Sequence, residues 1–312
     1  MNTLKDFPFP FTKSSYQYSN NSKQVFPPRC LTVTDKYKEE IELKRKLLTQ
    51  HNERCYQSLP HSIEAQWEIM IVLMEELATY EPTCFSLERK GNEYRFVNHL
   101  LEEEETFIFR DMKTISLEPL DLIGRHTQED LILMGDRDAD LYLDAGQLCF
   151  PSNWSLCFTL GMDFKSIHFP VPGISENNFI DKVQRFIKHI RPGHTWERKN
   201  WSITIGAKLD TPFETYSEWG TRRLEVTAEN AGELVHLRVE VQRLHRLPIS
   251  NDVLFTIHTY LLPVKALQAN REWLQLFYQN IKSLPADICE YKGIYLFQQP
   301  LLAYLENMFM KE

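Results

Sequence analysis

The sequence contains no apolar segment that approaches the length needed to cross a lipid bilayer. Its longest apolar candidate, residues 69–74, is followed at once by Glu75 and Glu76. The first residues of the chain also lack the uninterrupted apolar stretch of a secretory signal peptide. From these absences we expect a soluble, cytoplasmic protein without a membrane partner.

The sequence also lacks the common short motifs of metal, redox and nucleotide chemistry. Its six cysteines form no C-x-x-C pair, which argues against a zinc ribbon or a thioredoxin-like centre. We expect these cysteines to be free thiols that pack as small apolar groups. There is no G-x-G-x-x-G, no phosphate loop, no H-E-x-x-H and no G-x-S-x-G. Glycine-based nucleotide binding and hydrolysis by a nucleophile-elbow serine therefore have no support.

Positive charge is scarcer than negative charge. The chain has 43 acidic against 35 basic residues and a formal net charge of -8. A nucleic-acid-binding protein normally presents a basic face to phosphates, so we expect no nucleic-acid partner. The hydrophobic fraction of 43% and the aromatic fraction of 12% are ample for a folded core.

Hydrophobic periodicity separates an aperiodic start from a region of helices and strands. Residues 1–34, rich in Phe, Pro, Ser and Asn, are expected to form an extended surface arm, and residues 35–312 a single domain. Asp35 and Ser62 are the expected caps of the first two helices. The predicted helices cover residues 35–50, 62–79, 120–133, 176–190, 264–283 and 298–310. The predicted strands cover residues 84–88, 94–97, 106–109, 141–150, 234–243 and 253–261.

Short turns join the predicted strands. The sequence K-G-N at residues 90–92 is typical of a hairpin, and the strand at 253–261 follows its predecessor after a short connection. Strands joined in this way pair antiparallel. The sequence therefore predicts an α+β fold with a largely antiparallel sheet.

His168 is the first candidate site residue. It lies between Ile167 and Phe169 and is followed by Pro170 and Pro172. Proline fixes its own φ and favours extended geometry before it, so we expect an imidazole with a fixed direction. Such a ring suits an axial ligand to a metal or haem iron. The structural alternative is a buried histidine that bonds to a backbone carbonyl.

Arg238, Glu240 and Gln242 alternate along a predicted strand and should therefore share one face. The residues expected largely on the opposite face are Val239, Val241 and Leu244. An ionic face beside an apolar one is typical of a half-exposed strand. In a cleft, however, the arginine could bind carboxylates such as haem propionates, and the glutamate could pair with a cationic amine.

An ordered set of short motifs runs through the chain. The motifs are Q-E-D-L at 128–131, C-F-P-S-N-W-S at 149–155, I-H-F-P-V-P-G at 167–173, R-K-N-W-S at 198–202, R-V-E-V-Q at 238–242, R-L-P at 246–248, F-T-I at 255–257 and Y-K-G at 291–293. In order and spacing this set, over about residues 30–295, resembles the haem-dependent oxidative N-demethylase family.

The resemblance implies an α-subunit with a PAS-like haem-binding core, in which a curved antiparallel sheet is surrounded by helices. The implied activity is a haem-dependent monooxygenase reaction. A small secondary amine similar to dimethylamine is oxidised by dioxygen to a primary amine and formaldehyde. The implied electron donor is a separate reductase subunit with flavin and an iron–sulfur cluster, since this chain has no cysteine pattern for its own cluster.

The resemblance also suggests roles for individual residues. His168 becomes the proximal ligand of the haem iron, Arg238 and Arg246 the partners of the haem propionates, and Glu240 the partner of the protonated amine. One position departs from the family pattern, because Val241 stands where an arginine is expected. Two alternatives therefore stay open: a haem or small-ligand sensing module without turnover, and a scaffold subunit without a cofactor.

Overall fold

Two antiparallel sheets form the framework of the computed structural model, which describes residues 4–17, 21–174 and 178–310. The helices are α1 (Tyr37–Gln50), α2 (Asn52–Cys55), α3 (Ile63–Tyr80), α4 (Pro119–Gly124), α5 (Leu156–Thr159), α6 (Phe164–His168), α7 (Phe179–Lys188), α8 (Tyr216–Trp219), α9 (Ala231–Leu234), α10 (Arg271–Lys282), α11 (Ala286–Tyr291) and α12 (Gln298–Met310). The strands are β1 (Lys23–Val25), β2 (Tyr56–Ser58), β3 (Phe85–Lys90), β4 (Glu93–Asn98), β5 (Glu103–Ile108), β6 (Asp130–Arg137), β7 (Asp140–Gln147), β8 (Thr195–Ile205), β9 (Val235–Arg246) and β10 (Val253–Pro263).

The larger sheet has seven strands in the order β1-β8-β9-β10-β6-β7-β2, and the smaller sheet has the order β3-β4-β5. Neighbouring strands of the large sheet pair antiparallel throughout. The α+β class and the antiparallel sheet are thus confirmed, whereas the PAS-like character stays a prediction. Over the part of the chain that the structure describes, no helix is both long and apolar enough to span a bilayer.

The centre of the large sheet is the β9–β10 pair. It runs without interruption from His236 opposite Pro263 to Arg246 opposite Val253. The predicted hairpin in the smaller sheet is likewise confirmed, with Gly91 in the left-handed region between β3 and β4. Composition rich in Val, Leu, Ile, Thr and Phe identified β9 and β10 correctly, and alternation around the turn residues identified the hairpin.

The helix predicted over residues 120–133 is wrong in its second half. The chain forms the short helix α4, ends it at Gly124, and enters strand β6 at Asp130. Leu131 and Leu133 of β6 pack on one side of the sheet, while Ile132 packs on the other. A strand that is covered on both faces has a continuous run of apolar residues. Hydrophobic periodicity cannot distinguish such a run from a buried helix.

The predicted helix caps also differ. Lys36, rather than Asp35, stands at the N-terminal cap of α1 and provides no side-chain bond. Ser62 does precede α3, but its hydroxyl donates to the carbonyl of Leu59 and caps no backbone N–H. The helix predicted over 176–190 is seen as α7, and its predicted start lies partly outside the described residues.

The start of the chain contributes to the core. Phe7 and Phe11 are buried against the C-terminal helices, and Phe9 stacks on Trp273 with 4.4 Å between ring centroids. Strand β1 then adds to the edge of the large sheet beside β8. Residues 1–3 and 18–20 of the expected arm lie outside the described residues, and the domain boundary at residue 34 stays a prediction.

Each face of the large sheet has its own cover. On one face, Leu131, Leu133 and Leu254 pack with α1, α3 and the small sheet. At the β8–β9 end of that face, the C-terminal helices pack on Leu237 and Val239. The opposite face is covered by α5, α6 and α7. The functional candidates lie on this second face, between the sheet and the segment from α5 to α7.

A buried charge network holds the first face to α1. His258 Nδ1 lies 3.0 Å from Glu129 Oε1, and His258 Nε2 lies 3.7 Å from Glu40 Oε2. Burial opposes the charged imidazolium, but the two carboxylates outweigh it and raise the pKa of His258 to about 9. Glu129 also accepts the backbone N–H of Thr32 at 2.8 Å, so the network fixes the chain before α1.

This network predicts a loss of stability at alkaline pH. Since the pKa of His258 rises from about 6.5 in the unfolded chain to about 9 in the fold, its stabilisation is complete below about pH 6.5. It is lost as the pH rises through about 9, by about 3 kcal/mol in total. Thermal unfolding between pH 6 and pH 10 should show this decline in the wild type and a smaller one in His258→Gln. An exposed control, His99→Gln, should keep the wild-type slope; equal slopes for all three proteins would contradict the assignment.

Candidate functional site

Six polar side chains form a strip on the face of the β8–β9 pair that α5–α7 cover. The polar strip consists of Arg198, Asn200 and Ser202 of β8, and Arg238, Glu240 and Gln242 of β9. The register places them in directly opposed pairs, Arg198 with Gln242, Asn200 with Glu240, and Ser202 with Arg238. Opposed residues of paired strands point to the same face, so the shared face expected for the three β9 residues is confirmed.

Leu244 belongs to the same face as the polar strip, contrary to the sequence expectation. The pairing of β9 continues without a bulge, and side chains alternate with a period of two, so residues 240, 242 and 244 point the same way. Leu244 packs there in the apolar cluster beneath α7. This face of β9 is therefore polar from Arg238 to Gln242 and apolar at Leu244, before Arg246 ends the strand.

Arg238 is fully buried and bound to the protein on every side. Its Nε donates to Glu240 Oε1 at 3.2 Å, and its Nη1 donates to the carbonyl of Leu209 at 2.8 Å. Its Nη2 donates to the carbonyl of Phe150 at 2.5 Å and to Thr259 Oγ1 at 3.2 Å. Arg238 therefore ties two loops to the sheet and positions Glu240, while its charge compensates that carboxylate.

Glu240 is a buried carboxylate with a fixed orientation. Besides the bond from Arg238, its Oε2 accepts Asn200 Nδ2 at 3.2 Å and Gln242 Nε2 at 3.0 Å. An ionised carboxylate offers about four acceptor positions, so these three bonds leave room for a further donor. The polar strip thus holds a preorganised acceptor for a cationic or hydrogen-bonding ligand.

His168 ends helix α6, and the extended geometry expected just before Pro170 is wrong, because Phe169 has helical dihedral angles (φ -50°, ψ -37°). The Asp163 carboxylate accepts the N–H groups of Lys165 and Ser166 and so begins this short helix. Proline disfavours helical geometry in the residue before it, but here the Phe169 N–H donates to the Ser166 carbonyl and continues the turn of α6.

The imidazole of His168 is half-buried and has a fixed tautomer. Its Nδ1 lies 2.8 Å from the carbonyl of Phe164, so Nδ1 carries the proton and donates it. Burial lowers the pKa of His168; the Phe164 carbonyl opposes this shift and the charge of Arg198 reinforces it. The ring is therefore neutral at neutral pH, with Nε2 as its lone-pair nitrogen. The hydrogen bond to the Phe164 carbonyl agrees with the alternative of a structural histidine bonded to the backbone. A bond of the same kind also orients histidines that bind metals.

Arg246 lies at the far end of β9. Its Nη1 is 2.8 Å from Asp136 Oδ2, and its Nη2 donates to the carbonyl of Lys188 at 2.9 Å. Eight residues of extended strand, about 26 Å, separate it from Arg238. The two arginines therefore lie too far apart to share the adjacent propionates of one haem, and a propionate role for either one alone stays a prediction.

Sequence reasoning missed Arg198, Asn200 and Lys292 as site residues, although the motifs R-K-N-W-S and Y-K-G contain them. Lys292 Nζ donates to the carbonyl of Trp201 at 2.7 Å and lies 4.6 Å from the centre of the Trp201 ring. Burial lowers the pKa of Lys292 to about 8; Glu240 opposes this shift and Arg198 reinforces it. The two motifs were the signal in the sequence that could have identified these residues. The contact between β8 and the segment after α11 joins parts of the chain that are distant in sequence, so the sequence alone did not show it.

The contacts of Arg238 predict a large stability cost for its removal. In Arg238→Gln the two loop carbonyls lose their donors and Glu240 is left buried without its cation. Loss of one partner of a buried ion pair costs about 3–5 kcal/mol, to be measured by urea unfolding. The exposed pair of Arg222 with Glu225 provides the control, and Arg222→Gln should cost less than about 1 kcal/mol. A similar small cost for both variants would contradict the clamp role of Arg238.

Comparison with known families gives one match that covers nearly the whole chain. The family described as haem-dependent oxidative N-demethylase, alpha subunit-like, matches residues 22–302. The matched range includes His168, the entire polar strip and Lys292. It also spans both sheets and every helix up to the first residues of α12. The chain therefore belongs to the haem-dependent oxidative N-demethylase, alpha subunit-like family.

Proposed function

We propose that this chain is the haem-binding subunit of an oxidative N-demethylase that converts a small secondary amine, similar to dimethylamine, with dioxygen into a primary amine and formaldehyde. The observation that carries the proposal is His168, whose Nδ1 is bound to the Phe164 carbonyl at 2.8 Å. This imidazole lies within electrostatic reach of Arg198 in the polar strip. A potential iron ligand and a buried carboxylate thus belong to one region.

The chemistry of His168 supports a role as a haem ligand. A metal ligand must be a neutral imidazole, and burial favours that form of His168. Its Nδ1 proton is held by a backbone carbonyl, and among the residues that the structure describes no hydrogen bond engages Nε2. This is the arrangement in which a second partner orients a ligating histidine. Haem iron, when bound and reduced, supplies the activation of dioxygen.

Glu240 is the proposed partner of the amine. Arg238, Asn200 and Gln242 hold its carboxylate in one orientation before any ligand arrives. A protonated secondary amine can occupy the remaining acceptor position, with charge attraction strengthened by burial. The carboxylate then fixes the nitrogen, and with it the direction of the methyl group to be oxidised. Positioning of this kind is what the protein contributes beside the cofactor.

The family description as an alpha subunit implies a complex with other subunits. We propose that one of them is a reductase with flavin and an iron–sulfur cluster. Exposed large apolar and aromatic side chains support a partner. They include Phe158, Phe213, Tyr216, Leu224, Tyr291 and Tyr295. Side chains of this kind are enriched in interaction surfaces.

The departure at Val241 does not affect the polar strip. Val241 lies opposite Lys199 and His258 on the other face of the sheet. The basic residue found instead, Arg243, is on that face too and bonds to Glu197 and Thr32. The site face therefore keeps Arg238, Glu240 and Gln242, which favours turnover over a sensing role.

The ligand role of His168 predicts the loss of haem in His168→Ala. Absorption spectra of purified protein supplied with haem should show a Soret band in the wild type and none, or a shifted one, in the variant. His189 provides a matched control, since its Nδ1 also bonds to a carbonyl four residues earlier, that of Arg185, at an exposed helix end. His189→Ala should bind haem normally. Full haem and an unchanged spectrum in His168→Ala would refute the ligand assignment.

The amine role of Glu240 predicts a loss of activity without a loss of haem. Glu240→Gln keeps the shape and one acceptor oxygen but removes the charge, and its amide nitrogen cannot accept the bonds of the other oxygen. The lost charge is worth about 1.5–3 kcal/mol, or about tenfold to a hundredfold in rate. Formaldehyde release from dimethylamine, with a reductase as electron donor, measures it. Glu197→Gln, on the opposite face of β8, is the control. An unchanged rate in Glu240→Gln excludes the role. Red wild-type protein that releases no formaldehyde points to a sensing module, and colourless wild-type protein to a scaffold.

A further inference from the structure

Lys292 reaches the site through a sharp turn after α11. Lys292 itself is helical, and Gly293 follows with a φ of +64°, in the left-handed region. This conformation favours glycine, and a side chain at Gly293 would also have to displace the Arg223 guanidinium. The turn directs Lys292 across the edge of the sheet toward β8, where its Nζ meets the Trp201 carbonyl.

The ammonium of Lys292 is only partly satisfied. It has three N–H donors, of which the Trp201 carbonyl accepts one at 2.7 Å. The Trp201 ring faces the ammonium from 4.6 Å. Among the described residues, no carboxylate lies within ion-pair distance of Lys292 Nζ. The nearest relevant carboxylate, that of Glu240, acts on it only through its charge and is already compensated by Arg238.

The position of Lys292 also has a purely structural explanation, in which it only closes the edge of the sheet. Outside residues 195–197, which pair with β1, strand β8 has β9 as its one partner within the described chain, so its other edge is open. Lys292 closes part of this edge by binding the Trp201 carbonyl. One N–H donor is sufficient for that task, however, and a half-buried cation is a costly way to supply it. The remaining donors and the charge call for an anion.

We propose that Lys292 is the anchor for a carboxylate of the ligand that fills the site. The proposal rests on the proposed function. Two ligands could supply the carboxylate: a haem, through one of its propionates, or an N-methylated amino acid as substrate. In both cases the ammonium donates to an anionic oxygen, which is among the stronger hydrogen bonds in proteins. The depressed pKa of Lys292, about 8, agrees with a cation that lacks its counter-ion.

The first test compares haem with haem dimethyl ester, in which both propionates are blocked. Lys292→Met should bind haem about tenfold to a hundredfold more weakly than the wild type and should bind the ester as the wild type does. Lys199→Met is the matched control, because Lys199 is a half-buried lysine on the other face of β8 that also binds a backbone carbonyl, that of Phe9, at 3.3 Å. It should leave both affinities unchanged. Lys292→Arg should restore most of the haem affinity.

The second test addresses the substrate. If haem binding is unchanged in Lys292→Met, binding of N-methylglycine and of dimethylamine to the haem-loaded protein is compared by spectral titration. A selective loss of N-methylglycine affinity assigns the carboxylate to the substrate. If folded Lys292→Met has wild-type affinity for haem and for both amines, the proposed anchor role is refuted and Lys292 only closes the sheet edge. Wild-type protein that binds no haem at all would instead refute the proposed function.

A third measurement needs no variant and decides the question if Lys292→Met does not fold. The charged groups that face Lys292 are Glu240 on β9 and Arg198 on β8. An anion binds the protonated lysine, so affinity for the carboxylate ligand should fall as the pH rises through about 8, by about tenfold at one unit above that pKa. Haem dimethyl ester and dimethylamine should lack this loss. Haem and N-methylglycine affinities that both stay flat from pH 7 to pH 9.5 would overturn the proposal.

Discussion

The buried pair of Arg238 and Glu240 is the interaction on which the site depends. Its two members stand two residues apart on β9, so the strand itself presents them on one face. Arg238 then reaches the carbonyls of Phe150 and Leu209 and thereby fixes the loops that enclose the strip. A buried ion pair is a weak source of stability in itself. Here it orients a carboxylate and ties two loops to the sheet, which are tasks that an apolar pair does not perform.

The two faces of the large sheet carry different groups of polar residues. One face holds the charge network of His258, Glu129 and Glu40, which anchors the chain before α1. The other carries the polar strip and lies beneath the segment with His168. Because strand side chains alternate, a change of one residue moves chemistry from one face to the other. This explains why the replacement at Val241, adjacent to Glu240 in sequence, leaves the strip intact.

The region around the strip contains the three side chains on which the proposed haem chemistry with a small amine depends. His168 offers a neutral, oriented imidazole, and Glu240 offers an acceptor for a cation. Lys292 adds a partly satisfied cation at the open edge of β8. These groups come from α6, β9 and the turn after α11, three parts of the chain that are far apart in sequence. In the proposed function they serve as the iron ligand, the amine partner and the anion partner.

The sequence by itself determined the elements whose signal is local. Strand-forming composition identified β9 and β10, alternation around turn residues identified the β3–β4 hairpin, and the ordered motifs indicated the family. It also placed Arg238, Glu240 and Gln242 on one face, since a period of two is a property of any strand. Tertiary structure decided the rest. A central strand buried on both sides has no period, so β6 was predicted as a helix. Contacts between distant segments pair Arg246 with Asp136, bind Arg238 to two loop carbonyls, and place Lys292 at the edge of β8. Such contacts depend on how the chain folds back on itself, which no local pattern specifies.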